Sequence, residues 1–233
     1  MSASPVTGIE YSKINDYFNK TMWTDWVVKI GGFGTLCLLS IFIEWTPGFL
    51  AGVLAIGIAI AIYKIKVSSA PSDHEIDMAW NKIAQSRIPE ALRVANYDEE
   101  DCIRPTEYML GYSFGLNGGP PKKTIKGKDG YVRSNYMKLV YVIYGRDQIM
   151  TFEEAYCIAN DLDGLDKVSE YFYSDVSGVE FDQNINSFLL KTSGGNIEFS
   201  LTGEDGAHEK GFIQRAQDIS NSIRAVLRER KSL

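Results

Sequence analysis

The chain has 233 residues, 45% of them hydrophobic and 23% charged, which excludes a disordered, collagen-like or mucin-like polymer and leaves one domain, or one domain with an appendage. With 24 Lys+Arg against 30 Asp+Glu the net charge is -6, the wrong sign for a general nucleic-acid binder. Three cysteines without a CxxC pair are no disulfide framework, and with His74 and His208 they form no metal-ligand spacing, so neither a metal nor another cofactor is expected.

In chain order the first signal is Ile14, Tyr17, Phe18, Met22 and Trp26, spaced three or four apart. They read either as a short amphipathic helix within residues 1–25 or as an early start of the helix that follows. Residues 26–66 carry the main asymmetry. Ile30–Ile43 has no charge, and extending it back to Trp26 gives 18 residues with Lys29 near one end. Trp45–Tyr63 adds 19 more uncharged residues. The second run meets the ~20 residues a helix needs to cross a bilayer, and Lys29 can snorkel. Trp45–Gly48 reads as the reversal between two spans. The expectation is a transmembrane helical hairpin. Lys13, Lys20 and Lys29 flank its start and Lys64 and Lys66 its end. The turn holds Glu44 and no cation, so both termini are expected in the cytoplasm of a bacterial inner membrane. Gly48, Gly52, Ala55 and Ala59 put small residues at four- and three-residue spacing. That suits close helix packing, within the hairpin or between protomers of a homo-oligomer. No Asp, Glu or His lies mid-span, which argues against a transporter or proton relay.

Residues 67–105 read as a linker, Val67–Ser72, and a helical segment. A helix capped by Ser72 or Asp73 carries Ile76, Ala79, Trp80 and Ile83 on one face, and a second short helix follows Pro89. From about residue 106 the period changes to two. Tyr108–Phe114 and Tyr136–Tyr144 read as strands, the latter apolar on both faces except at Lys138. Ile149–Ile158 alternates as a strand after the turn Gly145–Gln148. Thr151-x-x-Glu154 is also a capping box, so 151–162 stays open between strand, which the turn favours, and helix. Val168–Asp182 reads as one long strand with a bulge near Gly178. Ser187–Thr192 and Asn196–Leu201 flank a Ser-Gly-Gly hairpin turn. Phe212, Ala216, Ile219, Ile223 and Val226 form one face of a C-terminal helix. The class is α+β: a helical hairpin followed by an antiparallel curved sheet or barrel that the terminal helix closes.

The segment Glu170–Val179, the hairpin Ser187–Leu201 and the terminal Ile223–Arg230 together resemble bacterial membrane proteins with a pleckstrin-homology-like domain behind a transmembrane hairpin. The resemblance spans Tyr136–Lys231 in pattern and implies a 106–233 domain that binds lipid, peptide or protein rather than one that catalyses a reaction.

The chemistry left is narrow. Gly115–Lys126 departs from the phosphate-loop pattern, and the Asp161, Asp163, Asp166 series departs from a calcium loop. No Ser–His–Asp or Cys–His arrangement stands out. Lys122, Lys123, Lys126 and Lys128, with Arg133 just after, sit on a Gly/Pro-rich loop whose only acid is Asp129. Held at an inner leaflet, such a loop can meet anionic headgroups at ~1 kcal/mol per cation. The leading reading is a non-enzymatic, membrane-anchored protein whose cytoplasmic domain binds anionic lipid or a partner protein. The alternative is a membrane effector in which that domain senses a signal and the hairpin oligomerises to perturb the bilayer.

Overall fold

The computed structural model describes residues 4–39, 46–67, 70–112, 115–182, 187–200 and 211–231. Its contacts separate two compact units, Ile9–Ile76 and Asp77–Leu233 joined by Ser4–Gly8.

The first unit is helical. Helix α1, Tyr11–Phe18, buries Ile14, Tyr17 and Phe18 and ends at Asn19. It is a separate element rather than the start of α2, Lys20–Leu39. Helix α3, Thr46–Ile62, continues as a π-turn over Tyr63–Val67. Thr46, Pro47 and Gly48, expected in the reversal, form the first turn of α3. Proline costs nothing there because that amide has no intrahelical acceptor. Trp45 and the rest of the expected turn lie outside the described residues.

Helices α2 and α3 pack side by side. They approach closely at Gly34, where an added Cβ would meet the Gly52 carbonyl oxygen at 3.0 Å and Ile56 Cγ1 at 2.8 Å. Outward, Val28, Phe33, Leu36, Leu50, Val53, Leu54, Ile58 and Ile60 are all exposed. Among the described residues one helix is long and apolar enough to span a membrane, Phe49–Lys66. Helix α2 falls short of the expected first span: Lys20, Asp25 and Lys29 dilute its first half, and 40–43 lie outside the described residues. A cluster of polar contacts ties the charged ends together. Lys66 Nζ is 3.2 Å from Asp16 Oδ2, Lys20 Nζ donates to the Pro71 carbonyl (3.2 Å), and Tyr17 Oη donates to Asp73 Oδ1 (2.9 Å).

Helix α4, Asp73–Ser86, starts on a reciprocal cap. The Glu75 carboxylate accepts from the Ser72 amide (2.7 Å) and hydroxyl (2.8 Å), and the Glu75 amide donates to Ser72 Oγ (3.3 Å).

The second unit is α+β with antiparallel sheets. Strands β1 (Arg104–Tyr112), β4 (Tyr136–Tyr144), β5 (Gln148–Cys157) and β6 (Leu162–Phe172) form a four-stranded sheet in the order β1-β4-β5-β6. Strands β7 (Val176–Asp182), β8 (Ser187–Thr192) and β9 (Gly195–Ser200) form a second sheet. The short β2 (Thr124–Lys126) and β3 (Val132–Ser134) pair only with each other. Among the described residues, three open sheets therefore stand where the pattern allowed a single closed barrel. Residues 151–157 are strand: Thr151 pairs with Val142 and Ser169, so neighbours on both sides override the local capping signal. The long strand expected over Val168–Asp182 is two. The turn at 173–175 breaks it, because the Tyr173 amide and hydroxyl bond to Asp147 O (2.9 Å) and Gly145 O (3.0 Å) instead of extending a ladder. The expected bulge is present as a register shift between Val176 and Gly178.

Two-sided burial explains the apolar run of β4. Val140, Val142 and Tyr144 join a core with Val179, Phe188 and Phe199 of the second sheet and with Ala216, Ile219, Ile223 and Val226 of helix α6, Phe212–Lys231. On the other face Ile143 and Met150 pack on Leu92 and Ala95, at helix α5, Ile88–Val94. Each such apolar side chain contributes about 1.5–3 kcal/mol when fully buried. Of residues 67–105, expected as a linker and helical segment, those from Asp77 onward belong to the second unit, where Leu92 and Ala95 pack on one face of the four-stranded sheet. Arg87, between α4 and α5, fastens this layer. Its guanidinium donates bidentately to the fully buried Glu154 of β5 (Nε to Oε1 2.7 Å, Nη2 to Oε2 2.6 Å) and pairs with Asp163 (2.6 Å). Burial alone would lower the Arg87 pKa, but the Glu154 hydrogen bonds and charge, with the charge of Asp163, raise it above the ordinary value.

Candidate functional site: a lysine hairpin

The basic loop is a built hairpin. β2 and β3 align Thr124 with Ser134, Ile125 with Arg133 and Lys126 with Val132. The Gly127 amide donates to Tyr131 O (2.8 Å) across the turn. Its root is held by Asn135, whose side-chain oxygen accepts from the Lys123 amide (2.6 Å) while its amide group donates to Pro121 O (3.1 Å). Tyr136 Oη donates to Pro120 O (2.8 Å). Burial pushes the Tyr136 phenol up to about 12, so it stays a neutral donor at any working pH.

The sequence candidates separate here. Lys122, Lys126 and Lys128 are exposed and Lys123 is half-buried. Arg133, grouped with them on spacing, is 4% exposed and committed elsewhere. It donates to both oxygens of Asp77 in α4 (2.7 and 2.8 Å) and to both oxygens of Asp129 (2.9 and 2.7 Å). Arg133 is therefore the hairpin's fastening to α4 and leaves the candidate set. Asp129, which looked like a diluting acid in the loop, accepts from Arg133 through both carboxylate oxygens. The pairing with Asp77, 56 positions away, carries no sequence signal.

The helix-packing candidates sort by exposure. Gly52 is buried against Gly34, Ala59 is buried, and Ala55 is half-buried. The surroundings of Gly48 lie outside the described residues. Gly52 is thus packed within the hairpin, against Gly34. Gly34, its counterpart on α2, escaped the sequence reading, although a glycine in an apolar helix facing a small-residue stripe is the signal that finds it.

Among the described residues no group of three or more His, Cys, Asp or Glu side chains is placed to hold a metal ion. Burial raises the thiol pKa of both Cys102 and Cys157, so neither is a thiolate at neutral pH. Comparison of the chain with protein-family models, curated proteins and solved structures gives no match.

Proposed function

We propose that the chain is a non-enzymatic, membrane-anchored binding protein that presents its lysine hairpin to anionic lipid headgroups. The carrying observation is the exposure of the apolar helices. The Phe49–Lys66 stretch is only 11% buried, whereas the core helix of a water-soluble protein is mostly buried. So many exposed large apolar side chains call for a hydrocarbon solvent. In this reading α2, with the uncharged residues 40–43 that follow it in sequence, and α3 form a two-span anchor. Lys13, Lys20, Lys29, Lys64 and Lys66, flanking the two spans, support an orientation with both termini at the cytoplasmic face of an inner membrane. The polar knot of Asp16, Tyr17, Lys20 and Lys66 suits the headgroup layer.

The resemblance to pleckstrin-homology-like domains gains support from the count of elements. Four antiparallel strands, three more and a C-terminal helix agree with that plan, with β2–β3 inserted between the first two strands of the larger sheet. The hairpin adds four lysines to an otherwise acidic unit. At about 1 kcal/mol per cation near an anionic surface, they outweigh the repulsion of more distant acids, which salt screens beyond about 8 Å.

The test is co-sedimentation of residues 72–233 with vesicles. Binding should appear with anionic and not with neutral vesicles and should weaken with salt. Joint replacement of Lys122, Lys123, Lys126 and Lys128 by Ser should abolish it. Arg133→Gln should lower the melting temperature while leaving all four lysines in place. Equal binding of the substituted protein refutes the lipid role and favours a protein partner for the hairpin.

A further inference from the structure

A second feature lies at the other end of β4, roughly 26 Å from the hairpin at ~3.3 Å per residue. There the turn 145–147, the turn 173–175 and the last turns of α6 enclose an open cleft of about 440 Å³. Its walls include Arg146, Asp147, Phe172, Tyr173, Leu227 and Arg230. We propose that this cleft docks an acidic peptide segment of a protein partner, carboxylates on Arg146 and Arg230 and an apolar side chain on Phe172.

Rigidity is the first argument. Tyr173 joins the two turns through its amide and hydroxyl, and the Arg146 amide donates to Tyr97 Oη (3.0 Å). Gly145 lets that phenol in: a Cβ there would meet Tyr97 Oη at 2.7 Å. The cleft is therefore preformed, and a ligand bears little ordering cost.

The cations are available to an incoming anion. The Arg146 side chain is 71% exposed and, among the described residues, its ion pair is with Asp101, itself 49% exposed, at 2.9 Å. Such surface pairs add little stability, so a ligand carboxylate displaces Asp101 at little cost. The Arg230 guanidinium lies 5.8 Å from the Tyr173 ring centroid. A guanidinium over a ring keeps its in-plane N–H donors for a carboxylate. Phe172, 53% exposed, adds an aromatic surface beside them. Arginine and aromatic side chains around a rigid depression are the composition of protein-binding hot spots. Asp147 on the wall selects among anions. It repels a compact dianion such as phosphate more than carboxylates spaced along a peptide.

The test uses the full chain in neutral-lipid nanodiscs and a fluorescent, end-blocked peptide of alternating Glu and Phe, read by anisotropy. Arg146→Gln with Arg230→Gln should weaken binding about tenfold, and Phe172→Ser several-fold. Because Phe172 is exposed, that variant keeps the fold and serves if the arginine pair proves unstable. The four lysine-to-Ser substitutions in the hairpin should leave peptide binding unchanged, which separates this site from the lipid reading. Unchanged binding by both the arginine and the Phe172 variants, equal binding of a peptide with Lys for Glu, or loss of binding in the hairpin variant overturns the proposal. Displacement of the peptide by inorganic phosphate at equal potency reassigns the cleft to phosphate and overturns it as well.

Discussion

The two units bury opposite things. In the second, apolar side chains point inward: Val140, Phe188 and Ile223 are at most 1% exposed, and buried charges such as Glu154 and Arg133 are met by bidentate hydrogen bonds from or to an opposite charge. In the first, the close contact between α2 and α3 is made by glycine, while Leu36, Leu50 and Leu54 stand 66–69% exposed. On the membrane reading proposed above, the same amino-acid types serve both because the solvent differs. Where water surrounds the fold, large apolar groups drive it together. In hydrocarbon they gain nothing by turning inward, and small residues that let backbones approach hold helices instead. Buried charge is paired in both units: Asp16 of α1 meets Lys66 (3.2 Å), as Glu154 meets Arg87.

The largest expected break of this contrast is in the second unit. Arg87→Ala removes the guanidinium and leaves Glu154, whose side chain is fully buried, without its cation. Breaking such a pair costs about 3–5 kcal/mol, whereas replacing both partners by apolar groups of similar volume is close to neutral. Denaturant unfolding should show Arg87→Ala far less stable than Arg87→Met combined with Glu154→Leu. Equal losses in the two would mean that the pair is not what holds α4 and α5 on the sheet.

The next effect is in the first unit. Gly34→Leu drives a side chain into the Gly52 backbone and Ile56, and overpacking of this kind costs about 1–3 kcal/mol. Thermal melting in detergent should fall, while Leu50→Ala, on the outward face, should barely change it. The reverse ranking would show that the outward face of α3 packs on protein rather than lipid. Gly52→Ile should behave like Gly34→Leu. If it instead dissolves crosslinked dimers without lowering the melt, the small-residue face lies between protomers.

Elements with strong local periodicity were legible in the sequence. The strands at 136–144 and 187–192 and the face of α6 follow from alternation or 3.6-residue spacing that no distant residue contradicts. What was not legible depended on partners far along the chain. Nothing near Tyr173 announces a break. The turn at 145–147 creates it by supplying the acceptors for its amide and hydroxyl. The strand at 151–157 was ambiguous because Thr151 and Glu154 suit a helix start, and only Arg87, 67 positions from Glu154, gives that carboxylate a reason to face inward. At the candidate site the four lysines were visible as a cluster. The role of Arg133 was not, since spacing cannot tell a surface cation from one whose carboxylate lies 56 positions upstream.

The smallest expected effect is at the cap of α4, in neither sheet core nor apolar hairpin. The hydrogen bonds from Ser72, backbone first, hold the Glu75 carboxyl below the ordinary carboxylate range. A group whose folded pKa is lowered contributes stability that is complete above its unfolded pKa, about 4.3 for glutamate, and that is lost as pH falls through the folded value. Glu75→Gln keeps the shape of the cap and removes its charge. The melting temperature of the wild type should therefore exceed that of the variant slightly at neutral pH, and the gap should close in acid. Glu75 is fully exposed, so added salt should shrink the gap as well. A gap that widens on acidification would mean that the carboxylate is not the form the cap stabilises, and a gap as large as that from Gly34→Leu would place Glu75 in a less exposed setting than its cap implies.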